Sequence, residues 1–340
     1  MERAWEVVLR SARTDAPGTD PALVALPGPV PSWLYWDAVR SVVPVARVRA
    51  ELERRRAEIR THGSDRGLVG ATAAIAWPER RPTWELISYR APDRWGRPRE
   101  VDRESVRRAA RAHPALFLCD DPRTRRLLVA PHTPCPILYG LRATAATPAL
   151  RARREVRSEP VDRWVLFRTN QGTGDHLVAR PLDDRPALGS GRWAGWVGEP
   201  PLEMGGGHVA FSIEDQDGRA LRCVAFEPTK TLPRVARTLR PSDRVRVWGS
   251  CGPDRVVRLE GLEIVRLAPG RGPIRGPRCP SCRKATRSLG HLRGYRCATC
   301  RRRWPPEAGR PRSDPIPFGP GVYHPTPSAR RHLAPRGPEP

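Results

Sequence analysis

The sequence predicts a multidomain α+β protein that ends in a small β-barrel and a metal-held ribbon. Three observations carry that prediction. Helix and strand signals alternate after Gly63, five strand signals with a single helix occupy Gly191–Ala268, and two Cys-x-x-Cys pairs follow. Alternation of this kind assembles as a layer of sheet packed on helices. At 340 residues the chain suits two to four modules, because single cores stop growing near roughly 250–300 residues.

The first stretch, residues 1–62, reads as helical. A short amphipathic piece between Met1 and Arg13 is followed by turn residues from Thr14 to Pro21. Pro31-Ser32 then precede an apolar-periodic run of Trp33, Tyr35, Trp36, Val39, Val42 and Val43. After Pro44 the segment Val45–Arg60 interleaves Glu and Arg at helical spacing. These pieces hold too few long apolar elements to close a core unaided, so the stretch is expected to be the end of a larger domain.

Residues 63–185 read as one α+β domain. A loop, Gly63–Gly67, feeds a small-residue helix over Leu68–Ala76. Thr83–Tyr89 reads as a strand and Asp102–Ala112 as a helix. Ala115–Cys119 and Arg126–Ala130 read as short strands joined by a turn at Asp120-Asp121-Pro122. A helix over Pro148–Val156 separates the strands Ile137–Leu141 and Trp164–Arg168.

Residues 186–268 read as mostly β. The strands are Arg192–Val197, His208–Glu214, Leu221–Phe226, Arg244–Gly249 and Val256–Val265, with a hairpin turn at Asp215-Gln216-Asp217-Gly218. A helix over Leu232–Leu239 falls between the third and fourth. That order is the layout of an oligonucleotide-binding (OB) barrel, although a generic small barrel gives the same strand count.

Of eight cysteines, the last four form Cys279-x-x-Cys282 and Cys297-x-x-Cys300, fourteen residues apart. Two such pairs set four thiolates at the tips of two turns, the soft tetrahedral donor set that Zn²⁺ takes. A closed four-cysteine site leaves no open position, so the zinc is structural. Residues 269–306 are read as this zinc ribbon, and His291 as a surface residue. Disulfides and a redox pair fit poorly in a chain whose start, Met-Glu-Arg-Ala-Trp, lacks the basic and apolar regions of a secretory signal. Cys119, Cys135, Cys223 and Cys251 sit in or beside apolar strand signals and read as buried thiols. The longest apolar run, around Leu68–Trp77, falls short of the roughly 18 residues of a membrane helix. A cytoplasmic protein is expected.

Lys and Arg number 61 against 36 acids, a formal charge of +25. Only Lys230 and Lys284 are lysines, a usage that reflects GC-rich coding. Coding bias explains arginine over lysine; it does not explain bases over acids. Sixteen bases against three acids lie in residues 271–340, a net of +13, so the excess has an address. A localised excess points to a polyanion partner, a nucleic acid before any other. The segment 307–340 reads as an extended, basic, Pro-rich tail.

Eight strings now line up in order. They are Gly67-Leu68-Val69-Gly70-Ala71, Glu85-Leu86-Ile87-Ser88-Tyr89-Arg90, and the run from Thr133 to Gly140. Phe167-Arg168-Thr169-Asn170-Gln171-Gly172-Thr173-Gly174-Asp175-His176-Leu177, Gly206-Gly207-His208-Val209 and the run from Ala225 to Lys230 follow. The four-cysteine ribbon and Tyr323-His324-Pro325 with Ser328–Leu333 complete the series. The chain from about Trp5 onward resembles the archaeal agmatidine synthetase family, which modifies the wobble cytidine of an isoleucine tRNA. The resemblance implies an ATP- and Mg²⁺-dependent ligase that attaches agmatine to C2 of that cytidine in the CAU anticodon. It implies a kinase-like domain, a ferredoxin-like domain, an OB-fold and a zinc ribbon in that order. One departure stands out: the family opens with a strand and an Asp-Asp-Thr-Asp-Ser motif, and this sequence has no such string. Residues 1–62 are therefore expected to be the helical end of a truncated or split kinase-like domain, and the chain to bind tRNA but to fail alone in ATP-dependent chemistry. The alternative functions are a non-catalytic RNA-binding module and a DNA-binding ribbon factor.

The candidate substrate residues are Asn170, Gln171, Thr173, Asp175 and His176, in a polar loop after a strand, together with Asp65. An acid such as Asp175 or Asp65 would suit the guanidinium of agmatine. Gly206, Gly207 and His208 read either as a hinge or as a close approach of RNA. Lys230, Arg283, Lys284, Arg293, Arg296, Arg330, Arg331 and His332 are candidate RNA contacts. Trp193, Trp196 and Trp248 could stack on bases or pack in the barrel.

Overall fold

The computed structural model describes residues 1–269, 274–290, 293–311 and 317–330. The N-terminal elements are α1 (Glu2–Ser11), β1 (Ala22–Ala25), α2 (Trp33–Arg40), α3 (Val45–Arg54), β2 (Glu58–Thr61) and α4 (Gly67–Ile75). The helical reading of residues 1–62 is corrected here. β1 and β2 pair antiparallel, Ala22 opposite Thr61, and α3 stops at Arg54 rather than Arg60. The stop is a Schellman turn: Arg56 takes φ +55°, its N–H bonds Glu53 O, and Ala57 N–H bonds Leu52 O. Four-residue strands are too short for a period to show. A core does close here, because α4 is recruited: Leu68 and Ala76 pack with Leu34, Tyr35, Val48 and Leu52. By packing, the small-residue helix thus sits with the N-terminal elements.

The next elements are β3 (Thr83–Tyr89), α5 (Arg103–Ala112), β4 (Leu116–Phe117), β5 (Asp120–Asp121), β6 (Arg126–Leu127), β7 (Ile137–Ala143), α6 (Ala146–Glu155) and β8 (Arg163–Thr169). The sheet order is β4-β7-β3-β8, antiparallel throughout. Leu86, Leu138 and Leu141 meet Val106, Ala109, Ala149 and Ala152 of α5 and α6, so both helices cover one face. Arg90 and Glu159 form a buried ion pair at 2.7 Å beneath the loop that leads to α5. The predicted strands Ala115–Cys119 and Arg126–Ala130 shrink to two residues each, and Asp120-Asp121 is a strand, not the turn. Leu118 at φ +51° breaks the run, and the Asp121 carboxylate accepts the N–H groups of Arg123 and Thr124 in the turn that follows.

A closed barrel comes third: β9 (Ser190–Val197), β10 (Leu202–Glu203), β11 (Val209–Glu214), β12 (Ala220–Ala225), α7 (Thr231–Ala236), β13 (Arg244–Cys251) and β14 (Val257–Arg266). Pairing runs β9-β13-β14-β12-β11, and β11 returns to β9 through Ile213 opposite Val197. Closure removes the sheet edges. Leu232, Val235 and Ala236 of α7 seal the core with Val245, Val247 and Ile264. Trp193 and Trp248 are buried, and Trp196 is half-buried beneath Arg244, so packing claims two of the three barrel tryptophans.

The ribbon holds β15 (Ile274–Arg275), β16 (Arg287–Ser288), β17 (Tyr295–Arg296), β18 (Arg303–Trp304) and β19 (Arg310–Pro311). The extended tail is also corrected: β20 (Gly321–Tyr323) joins the barrel beside β14, Tyr323 opposite Leu262. No described helix is long and apolar enough to cross a membrane.

Candidate functional site between sheet and barrel

The start of β3 lies beside the end of β8, Thr83 opposite Thr169, and the loop 170–177 leaves from there. Thr83, buried at the start of β3, roots it: its hydroxyl donates to Gln171 O at 2.6 Å and lies 2.8 Å from the Thr169 hydroxyl. Within the loop, Thr173 Oγ1 donates to Asn170 O at 2.9 Å, and Gln171 Nε2 donates to Glu85 Oε2 at 3.2 Å. Tyr35 of α2 donates its hydroxyl hydrogen to Asp175 Oδ2 at 2.6 Å and accepts from Asn170 Nδ2 at 3.2 Å. Arg40 Nε donates to Asp175 O at 3.2 Å. His176 Nε2 stands 3.6 Å from Glu260 of β14.

The loop forms one wall of a cavity of about 1610 Å³. Phe226, Thr229, Trp248, Arg258 and Glu260 of the barrel form the facing wall, and the tail closes the side with His324, Pro325 and Arg330. The tail is tied to both bodies. Thr326 N–H bonds Thr229 O at 3.3 Å, and Ser328 N–H bonds Asp121 Oδ2 at 3.1 Å. His324 lies edge-on to Trp248, ring centroids 5.6 Å apart. Burial, helped by the Arg330 charge, lowers its imidazole to about 4. An acid-bearing polar loop thus faces an aromatic and cationic wall, a chamber able to hold a small organic cation beside a heterocycle.

The structure brings together Asn170, Gln171, Thr173, Asp175, His176 and Arg330 of the predicted residues. It does not bring Asp65, which pairs with Arg49 in the N-terminal body; hydrogen bonds from Thr61 and Arg49 hold its carboxyl below the usual range. Its carboxylate is met locally, away from the cavity. Gly206 and Gly207 take φ +76° and +80° in a tight turn, and His208 Nδ1 accepts Glu227 N–H at 2.9 Å. Lys230 pairs with Glu227 at 2.6 Å. These four lie beside the cavity wall rather than in it. Arg331 and His332, like His291, lie outside the described residues. Tyr35 and Thr83 were not singled out as site residues, because each reads by type as a core or strand residue; Trp248, read either as a base-stacking or as a packing residue, is buried and borders the cavity.

In the ribbon, the sulfurs of Cys279, Cys282, Cys297 and Cys300 all lie within 4.8 Å of one another. Each pair is a knuckle: Arg283 N–H bonds Cys279 O and Arg301 N–H bonds Cys297 O, with Arg283 and Arg301 at positive φ. Backbone N–H groups of Cys300 and Thr299 draw the Cys297 thiol down to about 6. Four converging sulfurs with N–H groups aimed at them fit Zn²⁺. Arg283, Lys284 and Arg293 stand exposed around the knuckles, and Arg296 is half-buried. Among the other cysteines, Cys119, Cys223 and Cys251 are buried; Cys135 is half-buried, its sulfur 3.2 Å from Arg99 Nη2.

A mixed α+β body and a closed barrel around a polar interdomain chamber, followed by a zinc ribbon, define the chain as a multidomain protein of the kind that handles structured RNA. Its relatives agree. Residues 65–176 match the TiaS FLD domain and residues 276–308 the TiaS C-terminal zinc ribbon domain. The isoleucine-tRNA 2-agmatinylcytidine synthetase TiaS of Methanosarcina mazei is 33% identical over 304 residues, covering 88% of this chain and 70% of that protein. TiaS of Archaeoglobus fulgidus is 37% identical over 278 residues, covering 80% of this chain and 64% of that protein. The crystal structure of apo TiaS superposes with a TM-score of 0.82 at 34% identity, over 98% of this chain and 80% of that one. The complex of TiaS with its isoleucine tRNA, AMPCPP and agmatine gives 0.77 at 32% identity, over 97% of this chain and 78% of that one. The chain belongs to the TiaS family, the isoleucine-tRNA 2-agmatinylcytidine synthetases.

Proposed function

We propose that this chain serves the ATP-dependent ligation of agmatine to C2 of the wobble cytidine in isoleucine tRNA with a CAU anticodon, giving agmatidine and AUA decoding. The observation that carries the reading is the loop Asn170–His176, held open toward the barrel across one cavity. In the family reaction, phosphorylation from ATP activates the C2 oxygen; the agmatine amine then forms the C–N bond as phosphate leaves and the nitrogen loses a proton. Asp175 would hold the guanidinium, and Asn170, Gln171, Thr173 and His176 would line the arm behind it. Phe226 and His324, half-buried rings of the facing wall, would border a base. The barrel, read as an OB-fold, and the ribbon arginines and lysine Arg283, Lys284, Arg293 and Arg296 would hold the tRNA backbone with Arg330. The sheet body is read as ferredoxin-like and the N-terminal body as part of a kinase-like domain. The tRNA substrate implies a cytoplasmic site of action.

The test supplies the chain with ATP, Mg²⁺, labelled agmatine and a CAU isoleucine-tRNA transcript. It is run alone and mixed with a fragment carrying the family's Asp-Asp-Thr-Asp-Ser motif. Label entering the tRNA in the mixture, and not a CAU methionine transcript, is the expected result. tRNA binding without label in either reaction would instead support a non-catalytic binding module.

A further inference from the structure

Tyr35 does two separable jobs. Its ring is core: the residue is 2% exposed, packs with Leu34, Val48 and Leu52, and meets Trp36 edge-on. Its hydroxyl is not core. It reaches 140 residues along the sequence to Asp175 Oδ2 at 2.6 Å, and Asn170 Nδ2 donates to the phenol oxygen at 3.2 Å. All three side chains line the cavity. Burial, and then the Asp175 hydrogen bond, raise the phenol well above its ordinary range, so it stays a donor at any physiological pH.

We infer that Tyr35 is a positioning residue for the cationic end of agmatine, fixing the Asp175 carboxylate in the plane that receives a guanidinium. The inference rests on the reading of this loop as the agmatine site. The main chain of Asp175 is pinned on both sides, by Arg40 Nε on its carbonyl and by its own N–H to Thr173 Oγ1 at 3.4 Å. The Tyr35 hydroxyl then takes one carboxylate oxygen and stops rotation of the group. A guanidinium is a planar fork of donors and binds best to an acceptor whose plane is already set. An ammonium is a point charge with rotatable donors and gains far less from that constraint. The contact also makes the substrate pocket depend on α2, an element of the N-terminal body.

The test measures dissociation constants on the full chain saturated with tRNA, for agmatine and for n-butylamine, which keeps the amine arm and lacks the guanidinium. Tyr35→Phe keeps the ring and removes the hydroxyl. It is expected to weaken agmatine about tenfold, the loss typical of one hydrogen bond to a charged group, and to change n-butylamine less than about twofold. Asp175→Asn is expected to abolish most of the preference for agmatine. If Asp175→Asn does so and Tyr35→Phe leaves the preference at the wild-type value, Tyr35 is structural only and the inference falls while the site stands. If neither variant moves the preference, the loop is not the agmatine site and both readings fall. Should Tyr35→Phe unfold, Asn170→Ala removes the other bond to the hydroxyl; an unchanged preference there overturns the inference and a reduced one supports it.

Discussion

His324 illustrates how one residue can carry the state of a whole segment. Its ring lies against Trp248 and under the charge of Arg330, and burial there lowers its pKa to about 4. Unfolded histidine titrates near 6.5. Between those values an undocked tail takes up a proton that the docked tail refuses. Docking is therefore undiminished above about pH 6.5 and weakens as pH falls toward 4. An NMR titration of the His324 imidazole, assigned with His324→Ala, is expected to give a pKa far below the ordinary value; a midpoint near 6.5 would mean the ring stands in water. Legibility varies sharply at this scale. Asn170, Thr173 and Asp175 could be picked out because Gly, Asn, Thr and Asp clustered at a strand end mark a loop that presents side chains. Asp65 reads the same way, and the structure pairs it with Arg49, sixteen residues away in the chain. Tyr35 could be read only as an apolar position, since nothing local announces a partner 140 residues distant.

Elements were legible in proportion to their length and to the contrast between their faces. β3 matches the predicted Thr83–Tyr89 residue for residue, because seven residues alternate between the helix-covered face and the open one. α5, expected over Asp102–Ala112, runs over Arg103–Ala112 with Asp102 as its cap. Asp102 has an extended backbone, and its carboxylate accepts Glu104 N–H at 2.9 Å. That bond satisfies one of the orphan donors of the first turn, and the charge suits the helix N-terminus. Asp102→Ala is expected to destabilise the sheet body by about 1 kcal/mol, while Asp102→Ser, which restores a cap acceptor, recovers most of the loss. Urea melts of the three proteins check this, and equal midpoints for Asp102→Ala and wild type would remove the cap from the account. β1, β2 and β5 escaped the sequence reading for the opposite reason, and β6 shrank to two residues of the expected Arg126–Ala130. They are two to four residues long, and their existence is decided by partners elsewhere in the chain.

At the scale of the molecule, the charge and the metal converge on one part. Residues 271–340 hold +13 of the +25. The ribbon they contain is the least self-sufficient body: its described strands have two residues each, and among the described residues its buried side chains are Cys279, Cys297 and Tyr295. So small a core cannot meet the entropy of ordering the chain without a cross-link, and metal binding is then folding energy. The barrel and the sheet body have continuous cores of their own and need no metal. Chelation, or Cys279→Ser, is therefore expected to release about one zinc per chain and to unfold the ribbon alone. Agmatine binding should survive, because no described ribbon residue lines the cavity. tRNA affinity should not survive intact, and its loss has a signature. Each phosphate contact contributes nearly one unit to the slope of log affinity against log salt. If Arg283, Lys284, Arg293 and Arg296 rest on the tRNA backbone, the metal-free chain will show a slope shallower by about two to four units. A slope that stays at the holo value after the zinc is gone would place the phosphate contacts on the barrel and tail instead, and would reduce the ribbon to a structural end-cap.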